Sequence, residues 1–272
     1  MGVFERLAQI ERDGGQVAVA TVIQARGSVP RGEGSKMLVF ADGAIEGTIG
    51  GGEMEHRVIS EATAALGDGK IRTLHYRFSE LDEGDPGVCG GEIDVLVEPI
   101  HSAASLIVFG AGHVGKAVAR FGGWLGFRVV VADDRPGFAT PENVPEAEVH
   151  ITCELQELPT RVPITDRSYL VLATRGVPVD VAGLPAILKT RAAYVGLIGS
   201  RRRWETCVAE LRAKGVTDEQ LARVTSPMGL EIGAETPEEI AVSILAQLIM
   251  VRRGGTGQSM AHPVRRKRRA GA

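Results

Sequence analysis

Leu106-Ile107-Val108-Phe109-Gly110-Ala111-Gly112-His113-Val114-Gly115 decides the fold of the larger part of this chain. A short, wholly apolar run predicts a strand buried on both faces. A glycine turn follows it, and a helical pattern then runs from Val114 to Leu125. In such a strand–turn–helix the first glycine, Gly110, permits the turn and the second, Gly112, lets backbone N–H groups approach a pyrophosphate. The third, Gly115, lets helix and strand pack closely. The next apolar run, Phe127 to Ala132, ends in Asp133-Asp134, 23 and 24 residues after Gly110. A carboxylate that binds a ribose belongs at that distance. A Walker-type phosphate loop is nearly spelled as well, with Gly110, Gly115 and Lys116. Ala117, however, stands where a Ser or Thr would ligate magnesium.

Working outward, the same alternation repeats. Tyr169 to Ala173 and Tyr194 to Ile198 read as further buried strands, with helices over Val181–Lys189 and Arg202–Lys214. The last helix carries a capping box at Thr236-Pro237-Glu238-Glu239, a stripe of Ile240, Ile244, Leu245 and Leu248, and a stop at Gly254. The first hundred residues differ. Val17–Ala25 is β-branched, Lys36–Phe40 and Ala44–Ile49 bracket an Ala41-Asp42-Gly43 turn, and Leu74, Tyr76 and Phe78 alternate with polar residues, as do Ile93, Val95 and Val97. One helix fits between these strands, with Met54, Val58, Ile59, Ala62, Ala65 and Leu66 on one face and Gly67 as its stop. The expectation is an α/β chain in which an N-terminal strand-rich α+β domain (1–100) precedes a Rossmann-like, doubly wound parallel-sheet domain (101–254). A basic, disordered tail (255–272) would close it.

The composition narrows the function classes. The chain has 272 residues, 35 of them Gly, and its formal charge is −3. Setting aside the basic run Arg265–Arg269 leaves 26 basic against 34 acidic residues, a net −8. An acidic body argues against a nucleic-acid surface. The longest uncharged apolar run, Ile240–Val251, has 12 residues and falls short of a membrane span of about 20. Glu5 and Arg6 interrupt any signal-peptide core, so the expected location is the cytoplasm. Three cysteines, Cys89, Cys153 and Cys207, form no CxxC pair, against both a disulfide framework and a structural zinc site.

Three motifs in the first hundred residues carry chemistry. Gly27-Ser28-Val29-Pro30-Arg31-Gly32-Glu33-Gly34-Ser35-Lys36 places two cations, Arg31 and Lys36, around a bend. Gly47-Thr48-Ile49-Gly50-Gly51-Gly52 runs a strand into a helix whose first N–H groups form an anion site. The reading therefore assigns a phosphate to Gly50, Gly51 and Gly52 with Arg31 or Lys36. In Asp85-Pro86-Gly87-Val88-Cys89-Gly90-Gly91, a thiol sits among glycines before a strand. Cys89 is either a reactive or soft metal ligand, or a small buried hydrophobe. Farther on, Arg201-Arg202-Arg203 opens a helix against its macrodipole. A bound anion at Arg201 or plain hydration would relieve that.

Together these motifs resemble the XdhC/CoxI family, accessory proteins of xanthine dehydrogenase and related molybdenum hydroxylases. The resemblance covers residues 15 to 253. It rests on Gly-Ser-x-Pro-Arg at 27–31, Gly-Thr-Ile-Gly-Gly-Gly at 47–52, Cys-Gly-Gly at 89–91 and Gly-Ala-Gly-His-Val-Gly at 110–115. Gly-Leu-Ile-Gly-Ser-Arg-Arg-Arg at 196–203 and Gly-Ala-Glu-Thr-Pro-Glu-Glu-Ile-Ala at 233–241 complete it. It implies a homodimeric chaperone, not an enzyme, that binds molybdenum cofactor as molybdopterin or its cytosine dinucleotide. Such a chaperone protects the sulfurated form, cooperates with a cysteine desulfurase and delivers the cofactor to the apo-enzyme of a xanthine dehydrogenase or CO dehydrogenase type hydroxylase. By resemblance, Cys89 would sit at the cofactor and serve as the metal-side ligand, or carry a persulfide. One departure stands out: the family commonly has a His before an acidic residue just after Gly176, whereas this chain has Val177, with Asp180 following. The competing reading is an NAD(P)-dependent oxidoreductase using the residue-110 loop, for which the sequence offers no convincing set of proton donors. No GxSxG or HExxH pattern supports a hydrolase.

Overall fold

The computed structural model describes residues 2–78 and 91–261, and the chain divides into two compact units, Met1–Ala103 and Ala104–Ala272. The basic run Arg265–Arg269 and Cys89 lie outside the described residues.

The first unit is built on β1 (Gln16–Arg26), whose apolar residues alternate between two covered faces. It pairs antiparallel with β2 (Lys36–Val39) on one side and β5 (Glu92–His101) on the other. β3 (Ile45–Gly47) and β4 (Arg72–Arg77) complete a five-stranded sheet of order β3-β2-β1-β5-β4. A bulge between Val22 and Gln24 shifts the β1–β5 register toward the end of β1 at Arg26. Helix α2 (Gly52–Asp68) lays Met54, Val58, Ala62 and Ala65 on the face formed by Ala18, Ala20, Val22, Met37, Val39, Val95 and Val97. Helix α1 (Val3–Arg12) covers part of the opposite face, Ile10 meeting Val17, Val19 and Leu38. The expected stop of α2 at Gly67 is corrected by two residues. Gly69, at φ +71, takes the left-handed position and donates its N–H to the Ala65 carbonyl, while Gly67 stays in the last turn.

The second unit alternates strand and helix. Its strands are β6 (Ser105–Phe109), β7 (Arg128–Asp133), β8 (Val149–Thr152), β9 (Ser168–Leu172), β10 (Tyr194–Leu197) and β11 (Val224–Thr225), all parallel and ordered β11-β10-β9-β6-β7-β8. This is the doubly wound order, with the chain reversing direction between β6 and β9. Helices α3 (His113–Trp124) and α8 (Pro237–Arg253) cover one face, burying Leu106, Val108, Val129, Val131 and Val171. A 3-10 turn at Leu155–Glu157 and helices α4 (Leu158–Arg161), α5 (Val177–Ile187) and α6 (Arg201–Ala213) cover the other, over Ile107, Phe109, Leu170 and Leu172. Helix α7 (Asp218–Leu221) leads into β11. Covering both faces accounts for the continuous apolar strands.

The Thr236 box forms as expected, the hydroxyl accepting from the Glu239 N–H at 3.2 Å and the Glu239 carboxylate accepting from the Thr236 N–H at 3.0 Å. Gly254, at φ +68, ends the helix. Among the described residues no helix is long and apolar enough to cross a membrane.

The glycine loop sets how deeply α3 sits on β6. A Cβ on Gly115 would lie 1.8 Å from the Gly110 carbonyl oxygen, whereas one on Gly112 would meet nothing within 4 Å. Gly115→Ala is expected to lower the unfolding free energy by about 1–3 kcal/mol, and Gly112→Ala, at the N-cap of α3 with no atom in its way, by less, about 0.5–1 kcal/mol. Urea titration followed by tryptophan fluorescence reads this unit alone, because both tryptophans, Trp124 and Trp204, lie in it.

Candidate functional site

In the first unit, close backbone approach joins the glycine motifs. A Cβ on Gly91 would stand 2.2 Å from the Ser28 carbonyl oxygen and 2.8 Å from that of Arg26. One on Gly50, at φ +142, would stand 2.6 Å from Cγ of Pro30. The Gly27–Gly34 bend therefore sits against the entry of β5 on one side and the turn into α2 on the other. Arg31 follows Pro30 directly and is exposed.

At the turn where an anion was expected, two of the three glycine N–H groups, those of Gly50 and Gly51, are engaged by side chains of the protein. The Glu55 carboxylate turns back on the start of its own helix. It accepts from the Thr48 hydroxyl at 2.6 Å, the Gly51 N–H at 3.0 Å and the Ile49 N–H at 3.1 Å. Gly50 donates its N–H to Thr48 Oγ1 at 3.1 Å. Burial by itself would raise the Glu55 pKa. The Thr48 hydroxyl and the N–H groups of Gly51, Ile49 and Gly50 outweigh it and hold the carboxyl below its usual 4.5.

Lys36 is a second correction. It pairs in register with Thr21 and donates to Thr21 Oγ1 at 3.0 Å. Thr21 alternates with Val17 and Val19 on the α1 face, opposite the face that packs on α2. Lys36 and the Gly50 turn are thus on opposite sides of the sheet, and only Arg31 remains beside that turn.

The described cysteines are structural. Cys153 and Cys207 are both free and buried. Burial pushes the Cys153 thiol up, and burial followed by the nearby Asp180 charge pushes Cys207 to about 12. Neither is a thiolate at neutral pH. Among the described residues no group of three or more His, Cys, Asp or Glu is placed to hold a metal ion.

In the second unit the loops after β6, β7, β9 and β10 gather at the carboxyl ends of the strands. Gly110, at φ +107, passes so close to β9 that a Cβ would lie 2.3 Å from the Ala173 carbonyl oxygen. Asp133, expected at a ribose, is 1% exposed and has other work. One oxygen accepts the Ala111 N–H at 2.7 Å and Arg135 Nη2 at 2.8 Å; the other accepts the Arg135 N–H and Nε, each at 2.9 Å. Burial would raise its pKa, but the Arg135 side chain and the Arg135 and Ala111 N–H groups prevail and hold it low. Asp134 pairs with Arg175 from the loop after β9.

The anion sought at Arg201-Arg202-Arg203 also comes from within the chain. Arg203 forks onto Asp180, fully buried in α5, with Nη2 and Nε at 2.7 and 2.9 Å, and its guanidinium reaches the Thr174 carbonyl. Thr174 and Cys207 donate to the same carboxylate. Ser200 caps the helix, accepting the Arg203 N–H at 3.2 Å, while Arg201 and Arg202 are exposed. The sequence reading missed Glu55, Arg135, Arg175 and the Asp180–Arg203 pairing. Only Arg135, next to Asp133-Asp134, carried a local signal.

Two measurements test these assignments. Glu55 has a folded pKa below its unfolded one, so its stabilisation is present above pH 4.5 and is lost as pH falls through the folded value. Glu55→Gln is expected to lose about 1–2 kcal/mol at pH 7 and to fall less steeply than wild type on acidification, by urea unfolding at stepped pH. Arg203→Met leaves Asp180 buried and uncompensated and is expected to cost about 3–5 kcal/mol, much of it restored in Asp180→Leu/Arg203→Met. Trp204, adjacent to Arg203, reports the Arg203 single and double variants by fluorescence.

Residues 10–77 match the XdhC and CoxI family, and residues 106–248 match the XdhC Rossmann domain. The uncharacterized protein YqeB of Escherichia coli (strain K12) is 36% identical over 265 residues, covering 97% of this chain and 48% of YqeB. A protein of Bacillus subtilis (strain 168) named as a probable xanthine dehydrogenase subunit is 30% identical over 160 residues, 59% of this chain and 46% of that protein. The chain thus spans about half the length of these two relatives. The molybdenum cofactor insertion chaperone PaoD of Escherichia coli (strain K12) is 24% identical, covering 86% of this chain and 83% of PaoD. A crystal structure described as a xanthine dehydrogenase (BH1974) from Bacillus halodurans has the same fold, with a TM-score of 0.50 at 24% identity over 97% of this chain and 98% of that one. The glycine turn into α2 and the glycine loop before α3 both fall within the matched ranges, and the chain belongs to the XdhC/CoxI family.

Proposed function

We propose that this chain is an accessory protein that carries molybdenum cofactor and hands it, sulfurated, to the apo-form of a xanthine dehydrogenase or CO dehydrogenase type hydroxylase. It would do so without turning over a substrate of its own. The observation that carries this reading is the sealed meeting of the Gly27–Gly34 bend with Gly50 and Gly91, where a Cβ at either glycine would collide with the bend. A carrier needs a fixed loop cluster with a cation for the pterin phosphate and a soft donor for the metal or its sulfur. Arg31 is the cation that fits; Lys36, on the far face of the sheet, drops out. Gly51 and Gly50 contribute through Glu55 and Thr48, which hold the turn, and not as open donors. The soft-donor role falls to Cys89, two residues before Gly91 in sequence, because Cys153 and Cys207 are buried with raised thiol pKa values. Support from relatives is the insertion role named for PaoD and the xanthine dehydrogenase role named for the Bacillus subtilis protein. A cysteine desulfurase as sulfur source, a homodimeric state and a cytoplasmic location complete the reading.

The test is molybdenum and pterin content after loading the purified chain with cofactor. Stoichiometric retention by wild type, severalfold loss in Cys89→Ala and Arg31→Ala, and full retention in Lys36→Ala are expected. Equal retention by Cys89→Ala would remove the thiol assignment; no retention by wild type would overturn the carrier reading.

A further inference from the structure

The second unit's fold implies a nucleotide at the crevice between β6 and β9, and its donor set can be tested against one. The opening is suitable: a Cβ at Gly112 would meet no atom within 4 Å, so the middle of the glycine loop is free to face a ligand. At the ribose end, the carboxylate that closes β7, Asp133, is not available to a bare diol. A ribose diol is held by a carboxylate that still has lone pairs to accept O–H donors. Asp133 accepts four N–H donors, two on each oxygen, and is 1% exposed. No acceptor position is left on it. The neighbouring Asp134 accepts the Arg175 guanidinium.

What this strand end offers beside its carboxylates is a guanidinium. Arg135 spends Nε and one Nη2 donor on Asp133, and the remaining donors of its fork are not engaged by Asp133. Its side chain is 31% exposed, and its Cζ stands over the Phe138 ring, 3.4 Å from the centroid. Asn143 closes the loop behind it by donating to the Phe138 carbonyl at 2.6 Å. The guanidinium is therefore fixed on both sides before any ligand arrives, which limits the ordering cost of binding. Such a group recognises a phosphate monoester with charge-assisted hydrogen bonds.

We propose that the residue-110 crevice takes a nucleotide whose adenosine ribose carries a monoester phosphate, and that Arg135 is the residue that binds this phosphate. An unphosphorylated dinucleotide lacks a partner for Arg135 and finds Asp133 saturated. The ligand chemistry has two sources, a 2′-phosphate as in NADP or a 3′-phosphate as in coenzyme A, and the experiment separates them.

Isothermal titration of the full chain, without pterin, compares adenosine 2′,5′-bisphosphate, adenosine 3′,5′-bisphosphate, NADP+ and NAD+. One bisphosphate is expected to bind about 10- to 100-fold more tightly than NAD+, with affinity falling as salt is raised. Preference for the 2′ isomer, shared by NADP+, identifies the NADP source; preference for the 3′ isomer identifies the coenzyme A source. Arg135→Met should abolish the preference, with circular dichroism confirming that the variant folds. The wild-type comparison decides the matter even where the variant does not fold. Equal affinity for NAD+ and the bisphosphates, or no binding of either bisphosphate at millimolar concentration, overturns the proposal.

Discussion

In both units the glycine loops are held by backbone passing so near to other chain atoms that no Cβ fits between them. Gly115 rests on the Gly110 carbonyl, Gly110 on the Ala173 carbonyl, Gly91 on the Ser28 carbonyl and Gly50 on the Pro30 ring. Each approach removes an adjustable side chain and replaces it with a fixed backbone distance. Overpacking such a contact costs about 1–3 kcal/mol, a sizeable part of a domain's net stability. The strand order then decides which loops meet: β9 lies beside β6, so the turn after β6 is pressed against the chain leaving β9.

A second regularity follows from where the carboxylates point. Amides and guanidiniums that would suit an external anion are met by Glu55, Asp133 and Asp180 from within the chain. Each of these acids is partly or fully buried and would be costly to leave unpaired. Their effect is to fix donors in place: Glu55 holds the turn into α2, Asp133 ties the glycine loop to the end of β7, and Asp180 ties α6 to α5. Two cations next to these fixed turns also face outward, Arg31 in one unit and the remaining donors of Arg135 in the other. Preorganised cations suit phosphate-bearing cargo and ligands better than mobile ones, since less is lost on ordering.

Much of this molecule was legible from local pattern. The apolar runs at 106–109, 169–173 and 194–198 became central parallel strands, and the Thr236 box and Gly254 bounded α8, because periodicity, capping and glycine punctuation act over a few residues. The short strands β8 and β11 were missed, since polar His150 and Thr152 interrupt the apolar residues of β8 and β11 has only two residues.

The sequence by itself determined the doubly wound unit, the strand-rich unit before it, and the glycine motifs that place the chain in its family. Only the tertiary structure decided which acid answers which cation or amide. Glu55 could have faced water, Asp133 could have kept lone pairs for a ribose, and Lys36 could have stood beside Gly50. Asp180 lies 23 residues from Arg203, and Asp133 22 from Ala111. Pairing over such distances is set by sheet order and by the face on which each side chain emerges. A one-residue change of strand face, as between Lys36 and Met37, separates a residue from a site that its neighbour packs beneath.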